Sequence, residues 1–171
     1  MATFGDTTAG GDTFPASSDR AILSKFTAPE AGTVTQINVR FDATSGADNF
    51  KGLIYAADGA GGIPGTRLGV GNAAAVPGGG GDIASDGLSV AISAATDYWI
   101  GCVGQGIALV WQCDVSGGLS RMEGTTYAAP AATWTESGTG AGQVNAYATY
   151  TAGPPPPEVT PLRVLSSGLR F

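Results

Sequence analysis

Along residues 33–43, TVTQINVRFDA, apolar and polar side chains alternate with period two. Thr35, Ile37, Val39 and Phe41 fall on one face; Gln36, Asn38, Arg40 and Asp42 fall on the other. That is the pattern of an antiparallel strand with one wetted face. Comparable short runs recur at residues 21–29 (AILSKFTAP), 50–57 (FKGLIYAA), 66–76 (TRLGVGNAAAV), 87–93 (GLSVAIS), 97–104 (DYWIGCVG) and 107–115 (IALVWQCDV). A weaker run lies within 119–129, and QVNAYATYT (143–151) sets Val144, Ala146, Ala148 and Tyr150 opposite Asn145, Tyr147 and Thr149. Gly- and Pro-rich turns separate the runs, and Gly69 and Gly71 mark a bulge or a close backbone approach. About eight or nine short strands so spaced predict a two-sheet antiparallel sandwich around one core. Residues 91–96 alone have any helical potential, and they are too short and too strand-flanked to be expected as a helix.

The two ends break the pattern. Residues 1–19 are polar and rich in Gly, Thr and Asp; they read as an arm, disordered alone or laid on something else, with the sandwich domain spanning 20–152. Prolines 154–157 predict a stiff polyproline spacer. Beyond it, EVTPLRVLSSGLRF carries Val159, Leu162, Val164, Leu165, Leu169 and Phe171. A rigid spacer ending in such apolar residues is expected to dock on a partner or a neighbouring subunit, for instance as an added strand; folding back onto its own sandwich and simple disorder are the alternatives.

Composition narrows the chemistry. The chain has 171 residues, enough for one good core. Charged residues are 13%, about half the usual share, so the surface is mostly small and weakly polar. The net charge of −6 and the lack of any basic cluster argue against direct nucleic-acid binding. No run is long and apolar enough to span a membrane. The N-terminus has neither a basic start nor an apolar run, so a signal peptide is not expected and synthesis in a cytosol is. Histidine is absent, which removes Ser-His-Asp and Cys-His arrangements and Cys/His zinc sites.

The remaining candidates are few. Cys102 and Cys113 lie in apolar alternating runs and read either as a cross-sheet disulfide or as two buried free thiols. Asp42, Asp48, Asp58, Asp82, Asp86 and Glu123 sit in or beside expected loops, but no pair is marked for glycosidase chemistry. Asp58 in DGAGG lacks the alternating carboxylates of a calcium loop. The glycines at 59, 61, 62 and 65 lack the context of a phosphate loop and are expected to serve turn geometry. Trp99 and Trp111 sit in the most apolar runs and are expected in the core. Trp134, flanked by Thr133, Thr135 and Glu136, and Tyr127 are the rings with the best prospect of stacking on a sugar. No catalytic residue, metal site or cofactor is expected.

Ile54-Tyr55 followed by Pro64-Gly65 and Leu68, then Asp97-Tyr98-Trp99 and the closing NAYATYT of residues 145–151, have a familiar phrasing. Over residues 18–151 the chain resembles the jelly-roll-like β-sandwich module of tailed-phage virion proteins, with Asp97 where that module usually has Thr. The resemblance implies a jelly-roll-like sandwich and a non-enzymatic virion structural protein. A capsid decoration (cement) protein that braces the major capsid protein or another virion protein fits best, as a homo-oligomer, a trimer by preference. Made in a host cytoplasm, it would reside on the capsid surface. The alternative roles are a carbohydrate-binding module and a tail- or fibre-associated adsorption protein.

Overall fold

Thirteen antiparallel strands carry the fold of the computed structural model, which describes residues 1–15 and 18–154, without the side chains of 116 and 117. In chain order they are β1 (Ala2–Gly5), β2 (Asp12–Pro15), β3 (Arg20–Ala28), β4 (Gly32–Phe41), β5 (Asp48–Ala56), β6 (Arg67–Val70) and β7 (Ala74–Val76). There follow β8 (Gly81–Ser85), β9 (Val90–Ile92), β10 (Thr96–Gly104), β11 (Val110–Gly124), β12 (Gly138–Val144) and β13 (Ala146–Ala152). One layer runs β1–β13–β4, with β8 and β9 sharing the far edge of β4. The other runs β11–β3–β10–β5–β6, with β12 on β11 and β7 on β5. The long β11 belongs to both: its start pairs with β2 and meets β4 at Trp111–Phe41, and its end pairs with β3. The fold is therefore all-β, antiparallel and sandwich-like, as the alternation predicts.

The layers meet over a core built from alternate positions. Val34, Ile37, Val39, Phe41, Ala148 and Tyr150 come from the first layer, and Ile22, Phe50, Ile54, Tyr98, Ile100 and Cys102 from the second. Phe41 and Phe50 touch across it, with ring centroids 4.9 Å apart. In β4 the expected inward set is shifted at one end. Gln36 pairs with Thr149 but Val34 pairs with Tyr150, so Thr35 is the extra residue of a bulge. Val34, not Thr35, faces the core, because a bulge resets the alternation.

The layers approach each other closely at Gly52. A Cβ there would lie 2.6 Å from the Ile37 Cβ and 3.1 Å from that of Ser85. The Gly52 N–H donates to Ser85 Oγ at 2.9 Å, and that hydroxyl donates to the Asn72 carbonyl at 2.6 Å. A buried serine thus satisfies a buried amide where a larger side chain would hold the layers apart.

Of the expected arm over 1–19, residues 1–15 are not free, and the sandwich does not begin at Arg20. Along β1, Ala2 to Gly5 pair with Tyr150 to Tyr147. Phe4 is buried, with its ring centroid 6.2 Å from that of Tyr98 and 5.9 Å from that of Tyr150. Along β2, Asp12 to Pro15 pair with Cys113 to Val110, and Phe14 stacks on Trp111. Asn145 fastens the connection between them, donating to Asp6 at 2.6 Å and accepting from the Gly10 N–H at 3.1 Å. The segment supplies strand edges that the sheet would otherwise leave open. From residue 155 onward the chain lies outside the described residues, and with it Val159, Leu162, Val164, Leu165, Leu169 and Phe171.

Gly52→Val is expected to lower unfolding stability by about 1–3 kcal/mol, since the added methyls meet two packed Cβ atoms. Gly124→Ala, where nothing lies within 4 Å of the added atom, is expected to change it by less than about 0.5 kcal/mol. Urea unfolding of the two variants checks the contrast; equal losses would refute the close approach.

Candidate binding groove

Strands β3, β10 and β5 are apolar on both faces. Their inward positions line the main core, and their outward ones, Ala21, Leu23, Leu53, Tyr55, Trp99 and Val103, form a second cluster with Trp134. This outer face needs a cover, and the 124–137 segment supplies one. Tyr55 and Trp134 meet edge to face at 5.4 Å, and the Tyr55 hydroxyl donates to the Ala131 carbonyl at 2.7 Å. The Trp134 N–H donates to Gly65 O and the Arg67 N–H to Ala132 O, each at 2.9 Å. The Lys51 ammonium donates to the Tyr127 carbonyl at 3.0 Å and lies 4.6 Å from the centre of its ring.

The 58–65 loop covers part of what remains. Asp58 fixes its base, accepting from the Thr66 N–H and hydroxyl, both at 2.7 Å. Those bonds hold the Asp58 carboxyl below the usual carboxylate range. Gly61 and Gly62 turn the tip at φ +77° and +74°. Trp99 Nε1 donates to the Gly62 carbonyl at 3.0 Å, tying loop to sheet.

Between this loop and the β11–β12 pair the cover is incomplete and leaves a groove of about 310 Å³. Trp99 forms its floor, Ile63 and the exposed Leu119 its apolar sides, and Lys25, Arg121 and Gln143 its polar rim. Lys25 is the cross-strand neighbour of Trp99, and Arg121 that of Leu23, so strand alternation places both cations on the outer face. Among the described residues no carboxylate lines the groove. Asp97 holds Lys25 from one side at 3.4 Å while also accepting from Thr27 at 2.6 Å. Glu136 holds Arg121 through Nη1 alone, its two oxygens at 2.9 and 3.0 Å. The arrangement offers an apolar floor, an amide and cationic donors in excess of their partners. It can bind a small polar ligand with an anionic group; it holds no acid–base pair. A shallower hollow of about 680 Å³ lies on the other side of the loop, lined largely by small side chains such as Ala56, Ala91 and Ala95.

The rings expected to stack on a sugar do not fit that role. Trp134 is only 7% exposed, because its ring turns inward to fill the outer cluster although its neighbours in sequence are polar. Tyr127 is half-buried under Lys51. Of the two readings of the cysteines, the structure has the buried free thiols and not the disulfide. Cys102 on β10 faces Ile22 and Gly52, whereas Cys113 on β11 faces Val144 and Asp12, and β10 and β11 are not paired. Burial pushes both thiols up, so neither is a ready nucleophile. Asp42 and Asp82 are engaged by Thr44 and Arg40. Among the described residues no three His, Cys, Asp or Glu side chains gather in a way that could hold a metal ion. Lys25, Trp99, Arg121 and Gln143 come from four strands, so nothing in their spacing marks them as a set.

No protein-family model, curated protein or solved structure matches this chain. The class that the coordinates define is an all-β antiparallel sandwich with one apolar sheet face roofed by loops.

Glu123, 2% exposed, lies at the edge of that roof and accepts from the Thr135 N–H at 2.8 Å. Its Oε2 and the Trp134 Nε1 are buried without a hydrogen-bond partner among the described residues. Burial raises the Glu123 carboxyl above the usual range, and burial together with the Glu123 charge pushes the Tyr55 phenol up to about 12. The folded state thus holds the Glu123 proton more tightly than the unfolded chain does. Its contribution to stability is most favourable below the ordinary glutamate range and declines as pH rises through the raised value. Glu123→Gln is expected to flatten that decline and to raise the melting temperature at pH 7–8 relative to the parent, with no gain near pH 4. Thermal melts across this range check it; parallel pH profiles for the two proteins would refute it.

Proposed function

We propose that the protein is a non-enzymatic virion structural protein of the capsid-decoration type, acting by surface contact in a homo-oligomer. The observation that carries this reading is how the side chains are spent. Arg40–Asp82, Arg121–Glu136 and Lys25–Asp97 are structural pairs, and Asp42 and Asp58 fasten their own loops. Meanwhile Val115 and Leu119, each 58% exposed, stand on the bulged segment of β11. Few charged side chains then oppose close packing against a neighbour, and such contact needs area and complementarity more than reactive groups. The apolar residues from Val159 to Phe171 extend the same reading as an added docking segment. The likeness to phage virion modules supports it through Ile54-Tyr55, Pro64-Gly65 and Asp97-Tyr98-Trp99 alone.

Val115→Ser with Leu119→Ser is expected to weaken association with particles lacking the protein by about tenfold or more, equivalent to about 1.4 kcal/mol. The circular-dichroism spectrum and melting temperature should stay near those of the parent. Co-sedimentation with such particles and light scattering of the free protein check it. A monomer that never sediments with particles would overturn the reading, and unchanged binding by the double variant would overturn the role given to the bulge.

A further inference from the structure

We propose that the groove over Trp99 binds a carboxylate-bearing sugar, a hexuronate unit of an acidic glycan. The inference does not rest on the virion reading and would hold for any particle or surface that carries the protein.

Charge comes first. The chain is acidic overall, with fourteen carboxylate residues against eight basic ones, yet the groove is lined by two of those eight and by no carboxylate. Each cation is held from outside the groove and keeps donors to spare. Lys25 has three N–H donors and a single loose ion pair at 3.4 Å. Arg121 has five, and both of its bonds to Glu136 leave from one nitrogen. Such an arrangement leaves both cationic heads with donors to spare, and an incoming carboxylate meets charge-assisted hydrogen bonds there.

Shape and polarity then select the rest of the ligand. A volume of about 310 Å³ suits a single ring better than an extended chain. Below the rim the lining is apolar: Leu119 and Ile63, with only the edge of the largely buried Trp99 indole, held by its bond to Gly62, reaching the groove between them. Gln143 adds an amide that both donates and accepts, as hydroxyl groups require. At Gly61, Gly62 and Gly118 nothing lies within 4 Å of where a Cβ would be, so their backbone is open to a ligand. An apolar face below, hydroxyls at one edge and a carboxylate at the other describe a uronate pyranose. A bare phosphate would leave the apolar lining unused, and an acidic peptide would leave the hydroxyl partners unused.

The test titrates isotopically labelled full-length protein with trigalacturonate, its methyl ester, triglutamate and inorganic phosphate, following backbone amides by NMR. Trigalacturonate is expected to shift Gly61, Gly62 and Gly118 and to bind more weakly as salt rises. The uncharged ester should bind about tenfold less tightly, given the loss of the charge-assisted bonds. Arg121→Gln and Lys25→Gln should each reduce affinity several-fold; Lys25→Gln serves as the check if loss of the Glu136 partner disturbs the first variant. Gly78, in a distant turn, should not move. Absence of any shift at millimolar sugar overturns the proposal. So would equal binding of the ester, shifts confined to other surfaces, or binding of triglutamate or phosphate as tight as that of the sugar.

Discussion

The rest of the structure depends on a sheet that must be covered twice. Positions of both parities are apolar in β3, β10 and β5: Ile22, Ile100 and Ile54 point one way, and Leu23, Trp99, Leu53 and Tyr55 the other. Antiparallel sheets commonly leave one face to water, and this one cannot, because its outer side chains include an indole and a phenol worth several kcal/mol of burial between them, at roughly 1.5–3 kcal/mol for each large side chain. The second layer covers one face. The other is left to connections, and this explains why the 124–137 segment is pinned so thoroughly, by Trp134 against Tyr55 and by backbone bonds to Gly65 and Arg67.

A roof made of loops cannot match a strand layer in reach, and its gap is where the groove lies. The 124–137 segment covers Leu23, Leu53 and Val103; the 58–65 loop reaches only as far as the Gly62 carbonyl that accepts from Trp99. Beyond that point the same alternation that buried Leu23 places Lys25 and Arg121 outward, and these polar ends tolerate the missing cover. The groove is a consequence of the apolar sheet and not an addition to it.

The strands were legible because period two survives in a single sequence; residues 21–29, 50–57 and 97–104 fall almost on β3, β5 and β10. What was not legible has particular causes. GDIAS reads as an acidic loop, yet forms β8, because β4 offers a free edge that rewards even a short polar strand. The 107–115 and 119–129 runs read as separate strands because Gly117 and Gly118 interrupt them, whereas β11 bulges there and continues into the other layer. ATFG and DTFP hold one phenylalanine each, too little for a periodicity to register, and only partners more than ninety residues away make them β1 and β2. Trp134 has polar neighbours in sequence, and ring orientation in a loop is set by what lies beneath it, here Tyr55.

The groove residues were hidden for a related reason. Lys25 and Arg121 read as the wet positions of two alternating strands, which they are; their meaning comes from β3 lying between β10 and β11. That order sets Trp99 directly opposite Lys25 and Arg121 opposite Leu23, one step along the same face. Directly opposite and diagonal side chains on one face are neighbours by the pleat alone. Moving any one of these strands by a single residue would send its contribution to the core face, so the register that buries Ile100 and Ile22 also aligns the cations. Core packing and the candidate groove are thus held by the same hydrogen-bond ladder, and a protein that keeps the first keeps the geometry of the second.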